Sequence, residues 1–492
     1  MDALRAPVGT ARAYQEPGSV WRDPVAWTIA VVAFGAYFTI SFFRFLTLTP
    51  ASWDLGIYTE YVKQLSLLHA PVVDVRGPGF DLLGDHFQVG LAVLAPFFRL
   101  YPSPATLLFF QALLTAVSVF PVLSAASLLL GRGSGRLIAF AYGFSWGLQQ
   151  MIDFDFHEIA LAVPLLAFSL SALVRGRVRA AALWALPLVF VKEDQGFTVA
   201  AIGAFIVFQG WEQWRRRAVW GALLVGWGLF WSVFAITVII PHFNPLHEYY
   251  YWKDGGVVGG GHGFSPGSLL GQTAAGWPTK LQTIVMLLLP TAFAALGSPI
   301  ALLALPSLLL RFISTNTAYW GTDWHYNATL MPILFIAAAA AMARWRSADA
   351  GGARIRPWAG ARVGLARHGA PMMAAIAVAL VFQFPLGTLW HGSTYTISPQ
   401  VAADDAAMAV VPDGATVQTT LNLLAPLAAR TDTFWIGNAG NPLTTYVVFD
   451  GKNSGYSPAP RNVPAFIAQL YPTAGYTRVF DRSDVYVFRR RY

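Results

Sequence analysis

Apolar runs broken by short polar turns fill the first four-fifths of the chain. Their lengths predict helices near 26–48, 104–130, 137–151, 158–174, 180–192, 197–210 and 218–241, and again near 281–296, 299–312, 328–344 and 370–387. Several are shorter than the roughly 20 residues that cross a bilayer, so their ends are expected to extend into the flanks. Residues 88–100 are apolar but end at Pro96 and Arg99, which predicts a re-entrant or interfacial helix instead of a span. From about residue 398 the pattern shifts. β-like runs such as "TYVVFDG" and "DVYVFRRR" alternate with helical ones such as "VPAFIAQLY". The expected fold is mainly α: a polytopic transmembrane bundle of about eleven spans over 26–397, with a small α/β domain over 398–492. The Gly-rich stretch at 255–267 does not lie between a strand and a helix, so it reads as a loop and not as a phosphate-binding motif.

Composition agrees. Hydrophobic residues make up 55% of the 492 residues and charged residues only 12%, where a soluble domain carries roughly twice that charge. Mean hydropathy is +0.50. The net charge of +8 comes largely from arginines in short loops, which points to topology and away from nucleic acid. Cysteine is absent, so disulfides and thiolate metal sites are excluded. The first 22 residues lack a short apolar core with a cleavage site, so the first span is expected to be its own insertion signal.

Charge asymmetry sets an orientation. Placing tail 1–25 in the cytoplasm puts Arg132 and Arg136, Arg175 to Arg179, Arg215 to Arg217, and the arginines of 344–369 all on that side. Loops 49–103 and 242–280 and the C-terminal domain are then extracytoplasmic. Most acidic residues before position 400 fall on that outer side.

The same outer side collects the polar motifs. In "ASWDLGIYTEYV", Asp54 either caps an amphipathic helix or stands as a general base at the mouth of the bundle. "LLGDHFQ" places Asp85 and His86 before the re-entrant segment, where they can bind a cation or a phosphate; capping explains Asp85 alone. "DFDFHE" alternates Asp153, Asp155 and His157 with Phe154 and Phe156, followed by Glu158. An extended segment points its polar groups one way; a helical end puts Asp153 and His157 on one face. The structural alternative is an interfacial loop with its aromatics in the headgroup layer. Asp85, His86, His157 and Glu158 are the candidate ligands for a divalent cation. "VFVKEDQGF" sets Lys192, Glu193 and Asp194 at the outer end of a span, as a phosphate clamp or as a snorkelling lysine paired with Glu193. "TDWHYNA" adds Asp323 and His325. Ionisable groups at such depth are functional candidates by default.

In order, "WDLGIY", "LLGDHF", "FDFHEIALAVPLLAFSL", "LVFVKED" and "HYNATLMPILF" resemble the motifs of a family of polytopic bacterial membrane proteins that carries a domain-of-unknown-function label. That family is similar in architecture to the GT-C superfamily of glycosyltransferases. The resemblance covers roughly residues 45–345, with a similar α/β tail. It implies a cell-membrane enzyme that transfers a hexosyl or pentosyl group from a polyprenyl-phosphate donor to a glycan, lipid or protein acceptor on the outer side. It implies Asp54 as the base and Lys192, with His86 or His157, on the donor phosphate. Glu158, Glu193 and Asp194 would orient those groups or bond sugar hydroxyls, and His325 would contribute from a late span. Some GT-C members use a divalent cation and others do not.

A transporter or flippase for a lipid-linked or anionic substrate is the rival reading. Transport sites lie near the membrane midplane on broken helices. Gly297-Ser298-Pro299 is the one interruption of that kind, and it reads as a tight hairpin. Convergence of Asp54, His86, His157, Lys192 and His325 at one face favours the enzyme; a trail across the membrane favours transport.

Overall fold

A computed structural model describes residues 19–50, 52–210, 215–252, 271–350 and 359–491. The Gly-rich stretch 255–267 lies outside them. All eleven expected helical segments are present. The first is α1 (Pro24–Leu46), started by Asp23, whose carboxylate accepts from Val25 N–H while Pro24 occupies the first turn. Arg136 grips the same carboxylate with two bonds of 3.1 and 3.0 Å. Next is α2 (Asp54–Ser66), buried on all sides from Leu55 to Val62. Residues Val89–Leu94 form a 3-10 helix that runs into α3 (Ala95–Leu100), so 88–100 is a short helical insertion and not a span.

Then come α4 (Pro104–Val117), α5 (Val119–Leu130), α6 (Arg132–Gly143), α7 (Trp146–Asp153), α8 (Ile159–Val174) and α9 (Val178–Ala185). The expected helix 137–151 is therefore two. Ser145 is extended at the break, and Tyr37 donates to Gly143 O at 2.6 Å there. Next, α10 (Gln195–Gly210) and α11 (Arg215–Phe234) pair as a hairpin. A π-helical turn, Ala235–Ile239, links α11 to α12 (Ile240–Phe243) just before Pro241. Proline lacks the N–H of a regular turn and crowds the preceding one, and the wider π turn absorbs that clash.

The late segments are α13 (Trp277–Leu288), α14 (Leu305–Ile313), α15 (Leu330–Ala350) and α16 (Ala359–Val381). The expected helix 281–296 stops at Leu288; Ala292 and Phe293 take positive φ beyond it. At Gly297-Ser298-Pro299 one 3-10 turn, Ala294–Gly297, ends and Ser298 caps the next, Pro299–Ala304. Among the described residues, five helical stretches are long and apolar enough to cross a membrane by length and composition: 24–46, 104–130, 217–243, 325–348 and 360–381. Around them one core joins α1, α4 to α11, α13, α15 and α16, while α2 and α3 pack in a second cluster.

The C-terminal part opens with α17 (Pro399–Ala409), which the strand alternation did not single out. Its sheet comprises β1 (Thr416–Thr419), β2 (Asp432–Trp435), β3 (Tyr446–Asp450), β4 (Tyr476–Arg482) and β5 (Val485–Arg490), in the order β2-β1-β3-β5-β4. β1 runs parallel to β2 and β3; β5 is antiparallel to β3 and β4. β3 is buried along its whole length because both faces are covered. α17 and α18 (Leu424–Ala428) pack on one face, and α19 (Val463–Leu470) on the other. α18 also packs on α2, where Leu424, Ala425 and Ala428 join Leu55, Tyr58 and Val62 in one apolar cluster. Lys63 Nζ adds a 2.8 Å bond to Thr431 O across that seam. The small domain thus rests directly on the helix that carries Asp54.

The α10–α11 hairpin gives a test of the bundle. A Cβ on Gly203 would lie 2.6 Å from Gly221 O and 2.7 Å from Val225 N, so the two backbones meet without side chains between them. Gly203→Leu is expected to lower the thermal midpoint in detergent by several degrees. Gly226→Ala, with nothing within 4 Å, is expected to leave it unchanged or raise it slightly.

Candidate active site

At one end of the bundle, four separate segments bring their polar side chains into a single cluster centred on Glu158. This residue precedes α8 and is fully buried. Tyr58, one turn along α2 from Asp54, donates its hydroxyl to Glu158 Oε2. His157 Nδ1 lies 3.0 Å from the same oxygen, and Lys192 Nζ lies 2.9 Å from Oε1. His157 Nε2 is 3.6 Å from Asp54 Oδ2. The Asp54 carboxylate also accepts from the Ser52 hydroxyl. His325 stacks on His157 with ring centroids 3.5 Å apart and planes 17° apart, and neither of its ring nitrogens has a hydrogen-bond partner among the described residues.

The charges follow from these contacts. Burial disfavours ionisation of Asp54, but His157 and Ser52 overcome it and hold the carboxyl below its usual range. Burial also opposes the His157 cation; Glu158 and Asp54 outweigh it and raise the imidazole above its ordinary value. Glu158 is held well below the carboxylate range against its burial by Lys192 and His157.

A second lobe adjoins the first through consecutive residues, since Lys192 reaches Glu158 while Glu193 turns to His86. His86 Nδ1 is 2.7 Å from Glu193 Oε1, and Phe87 N–H donates to the other oxygen at 3.1 Å. Tyr249 donates to Glu193 at 3.0 Å. Asp85 accepts from Tyr251 at 3.2 Å and faces Arg76 Nε at 3.6 Å. His86 stacks on the Tyr251 ring at 4.5 Å. Asp194 accepts from the Gln195 amide at 3.2 Å, and its burial raises its carboxyl.

Several expectations change. Asp54 does not cap α2: it is the first residue of the helix, and its carboxylate turns to Ser52 and His157. Lys192 pairs with Glu158, not with Glu193. "DFDFHE" is neither extended nor helical throughout. α7 ends at Asp153, and Asp155 adopts φ 63°. Asp153 and Asp155 both turn to Arg44, at 3.1 and 3.8 Å, while His157 and Glu158 enter the cluster. Phe154 and Phe156 are not headgroup anchors. Phe154 stacks on His157, and the fully buried Phe156 meets the Tyr58 ring edge-on. Asp323 is exposed, and the Thr322 hydroxyl lies 3.5 Å from it.

Sequence reasoning missed Tyr58, Arg76, Tyr249, Tyr251 and Gln111. Gln111 is the one amide in the apolar run "PATLLFFQALLTAV". It accepts from His157 N–H at 2.9 Å and donates to Asp155 O, which fixes the turn. A lone amide in a span was a readable signal; so was Tyr58, four residues after Asp54 on one helix face.

The fit to a divalent cation is poor. His157 and Glu158 are engaged with each other, Asp54, Tyr58 and Lys192, and Asp85 and His86 with Arg76, Tyr251 and Glu193. Among the described residues no three His, Asp or Glu side chains are grouped to hold a metal ion.

Removing one partner of a buried ion pair strands the other. Glu158→Ala is expected to cost about 3–5 kcal/mol, read as a fall in thermal midpoint. The pH dependence has a fixed sign. His157 is raised, so its contribution is complete below the ordinary imidazole range and is lost as pH climbs through the raised value. The midpoint difference between wild type and His157→Gln is therefore expected to shrink as pH goes from about 6 to about 9.

Comparison with known proteins comes at three levels. No curated protein matches the sequence. Among solved structures, the chain is similar to ArnT from Cupriavidus metallidurans bound to undecaprenyl phosphate, with a TM-score of 0.59 and 14% identity over 96% of this chain and 98% of that one. The apo state of the same protein matches with a TM-score of 0.52 and 15% identity, over 94% and 98%. The expected GT-C resemblance thus holds at the level of fold. The sequence profile of a family described as predicted membrane protein (DUF2079) matches residues 44–448. The chain therefore belongs to DUF2079, a family of multi-pass membrane proteins.

Proposed function

We propose that the protein is an integral membrane glycosyltransferase that moves a sugar from a polyprenyl-phosphate donor to an acceptor hydroxyl, with Asp54 as general base. One observation carries the reading: Asp54, His157, Glu158, Lys192 and His325, from four segments, meet in one cluster at a single end of the bundle. A translocation path would spread such groups along the span interiors. The fold likeness to a protein bound to undecaprenyl phosphate supports the donor class. In this reading the site faces the extracytoplasmic side of a bacterial inner membrane, with the N-terminus cytoplasmic, which the arginine distribution supports. Residues 398–492 form the extracytoplasmic domain over it.

In this reaction the acceptor oxygen attacks the anomeric carbon and gives its proton to the ionised Asp54. The bond from that carbon to the donor phosphate breaks, and polyprenyl phosphate leaves with the electron pair. His157, paired with Asp54, keeps the carboxylate charged before the proton arrives. Lys192 and a ring N–H of His325 meet the phosphate, whose charge grows in the transition state. Glu158 holds Lys192 and His157 in place as a positioning residue. No step requires a divalent cation at Asp85, His86, His157 or Glu158.

Asp54→Asn keeps the shape of the side chain and removes the base. It is expected to cut transfer by about 10²- to 10⁴-fold while the protein still inserts and folds. The check is the profile of lipid-linked sugars and envelope glycans in a deletion strain, in a strain complemented with wild type, and in one complemented with Asp54→Asn. Full complementation by Asp54→Asn would remove Asp54 as the base.

A further inference from the structure

The one buried residue of α14 is its charged one. Arg311, in the last turn, is 6% exposed, while Leu305 and Leu309 of the same helix face outward. An ionisable group turned inward from an apolar segment is a functional candidate by default. The loop that follows, residues 314–327, carries His325 and contains only two short 3-10 turns, Thr317–Tyr319 and His325–Asn327. Arg311 closes this loop. Its Nε donates to Tyr319 O at 2.8 Å and its Nη2 to Gly321 O at 3.1 Å. Its Nη1 donates to Asn327 Oδ1 at 2.9 Å and, at 3.4 Å, to Tyr326 O. Asn327, itself fully buried, donates from its amide to Gly321 O at 3.4 Å. One guanidinium thus ties the chain entering the loop to the chain leaving it.

His325 needs such a fixture. Neither of its ring nitrogens has a hydrogen-bond partner among the described residues. Its ring rests on other rings: His157 with centroids 3.5 Å apart, Tyr326 at 4.1 Å and Phe154 at 5.2 Å. Such contacts limit the tilt of a ring but let it slide, since offset stacks are as favourable as centred ones. The backbone therefore has to set where the imidazole sits. Arg311 holds that backbone on both sides of His325, and the Tyr326 ring next to the imidazole lies 5.5 Å from the guanidinium carbon.

We propose that Arg311 is a positioning residue for His325, holding the 319–327 turn so that the imidazole keeps its place on His157. Only a guanidinium suits the task. Its five N–H groups lie in one rigid planar fork, whereas a lysine ammonium carries three donors on a single atom and cannot serve both arms of the loop. In the glycosyltransferase reading, on which the functional part of this assignment rests, the clamp sets where the His325 N–H meets the donor phosphate. Arg311 itself bonds protein oxygens and acts through His325.

The test uses full-length protein in detergent and reads placement apart from use. Diethyl pyrocarbonate acylates accessible imidazoles, and mass spectrometry resolves each histidine. His325, 2% exposed, is expected to react slowly in wild type and about tenfold faster in Arg311→Lys, while His86 keeps its rate. Asn327→Ala, which removes one acceptor, should shift His325 the same way by less. Binding of undecaprenyl phosphate then reads the consequence. Arg311→Lys is expected to weaken it about tenfold in the wild-type background and hardly at all in a His325→Ala background, since residues acting as a unit are not additive. Three results would overturn the assignment: His325 reactivity unchanged in both variants, His86 rising in step with His325, or additive losses of binding. A His325 rate that rises in Arg311→Lys, when wild type binds no undecaprenyl phosphate, keeps the clamp and removes the donor reading instead.

Discussion

Glu158 is a carboxylate from which water is wholly excluded, and the rest of the site is arranged around making that tolerable. An isolated buried charge costs several kcal/mol or more, so it must be paired and hydrogen-bonded. Tyr58 and His157 take one oxygen and Lys192 the other. Each comes from a different part of the fold. The Tyr58 helix is held by the C-terminal domain, the His157 turn by Gln111, and Lys192 by its place between two spans. Any sequence that keeps Glu158 must therefore deliver all of these segments to one end of the bundle.

That constraint sets Asp54 and two stacked imidazoles beside the buried carboxylate. His157 holds the Asp54 carboxyl below its usual range, and the ring nitrogens of His325 have no hydrogen-bond partner among the described residues. The second lobe, built on Glu193 and His86, repeats the same device of a buried carboxylate matched by an imidazole and a tyrosine. Because Lys192 and Glu193 are adjacent and point into different lobes, a shift at one is felt by the other. The C-terminal domain is part of this framework, since α18 packs against the first turns of α2.

Much of this was legible in the chain. Hydrophobic run lengths located the long apolar helices of the bundle, since burial in lipid or core needs the same apolar periodicity, but not α17. The polar motifs named most of the cluster, because carboxylates and imidazoles stand out against apolar flanks. What the pattern did not carry was pairing. Lys192 reaches Glu158 and not its own neighbour, and Arg44 draws Asp153 and Asp155 away, over separations of more than 100 residues for Arg44. Such choices depend on the packed bundle. Tyr58 and Phe156 read as apolar positions because an aromatic ring packs the same way whether or not it also serves a site. The helix breaks at Ser145 and after Leu288 were hidden for a related reason: the flanking residues are as apolar as the helices themselves.

The central claim is that the Glu158 cluster receives the phosphate of a lipid carrier. The most direct measurement is binding of polyprenyl phosphate to the purified protein in detergent, comparing wild type with Lys192→Met. Tight binding by wild type, weakened at least about tenfold by loss of the ammonium, is the predicted result. Equal binding by both proteins, or none by wild type, would contradict it.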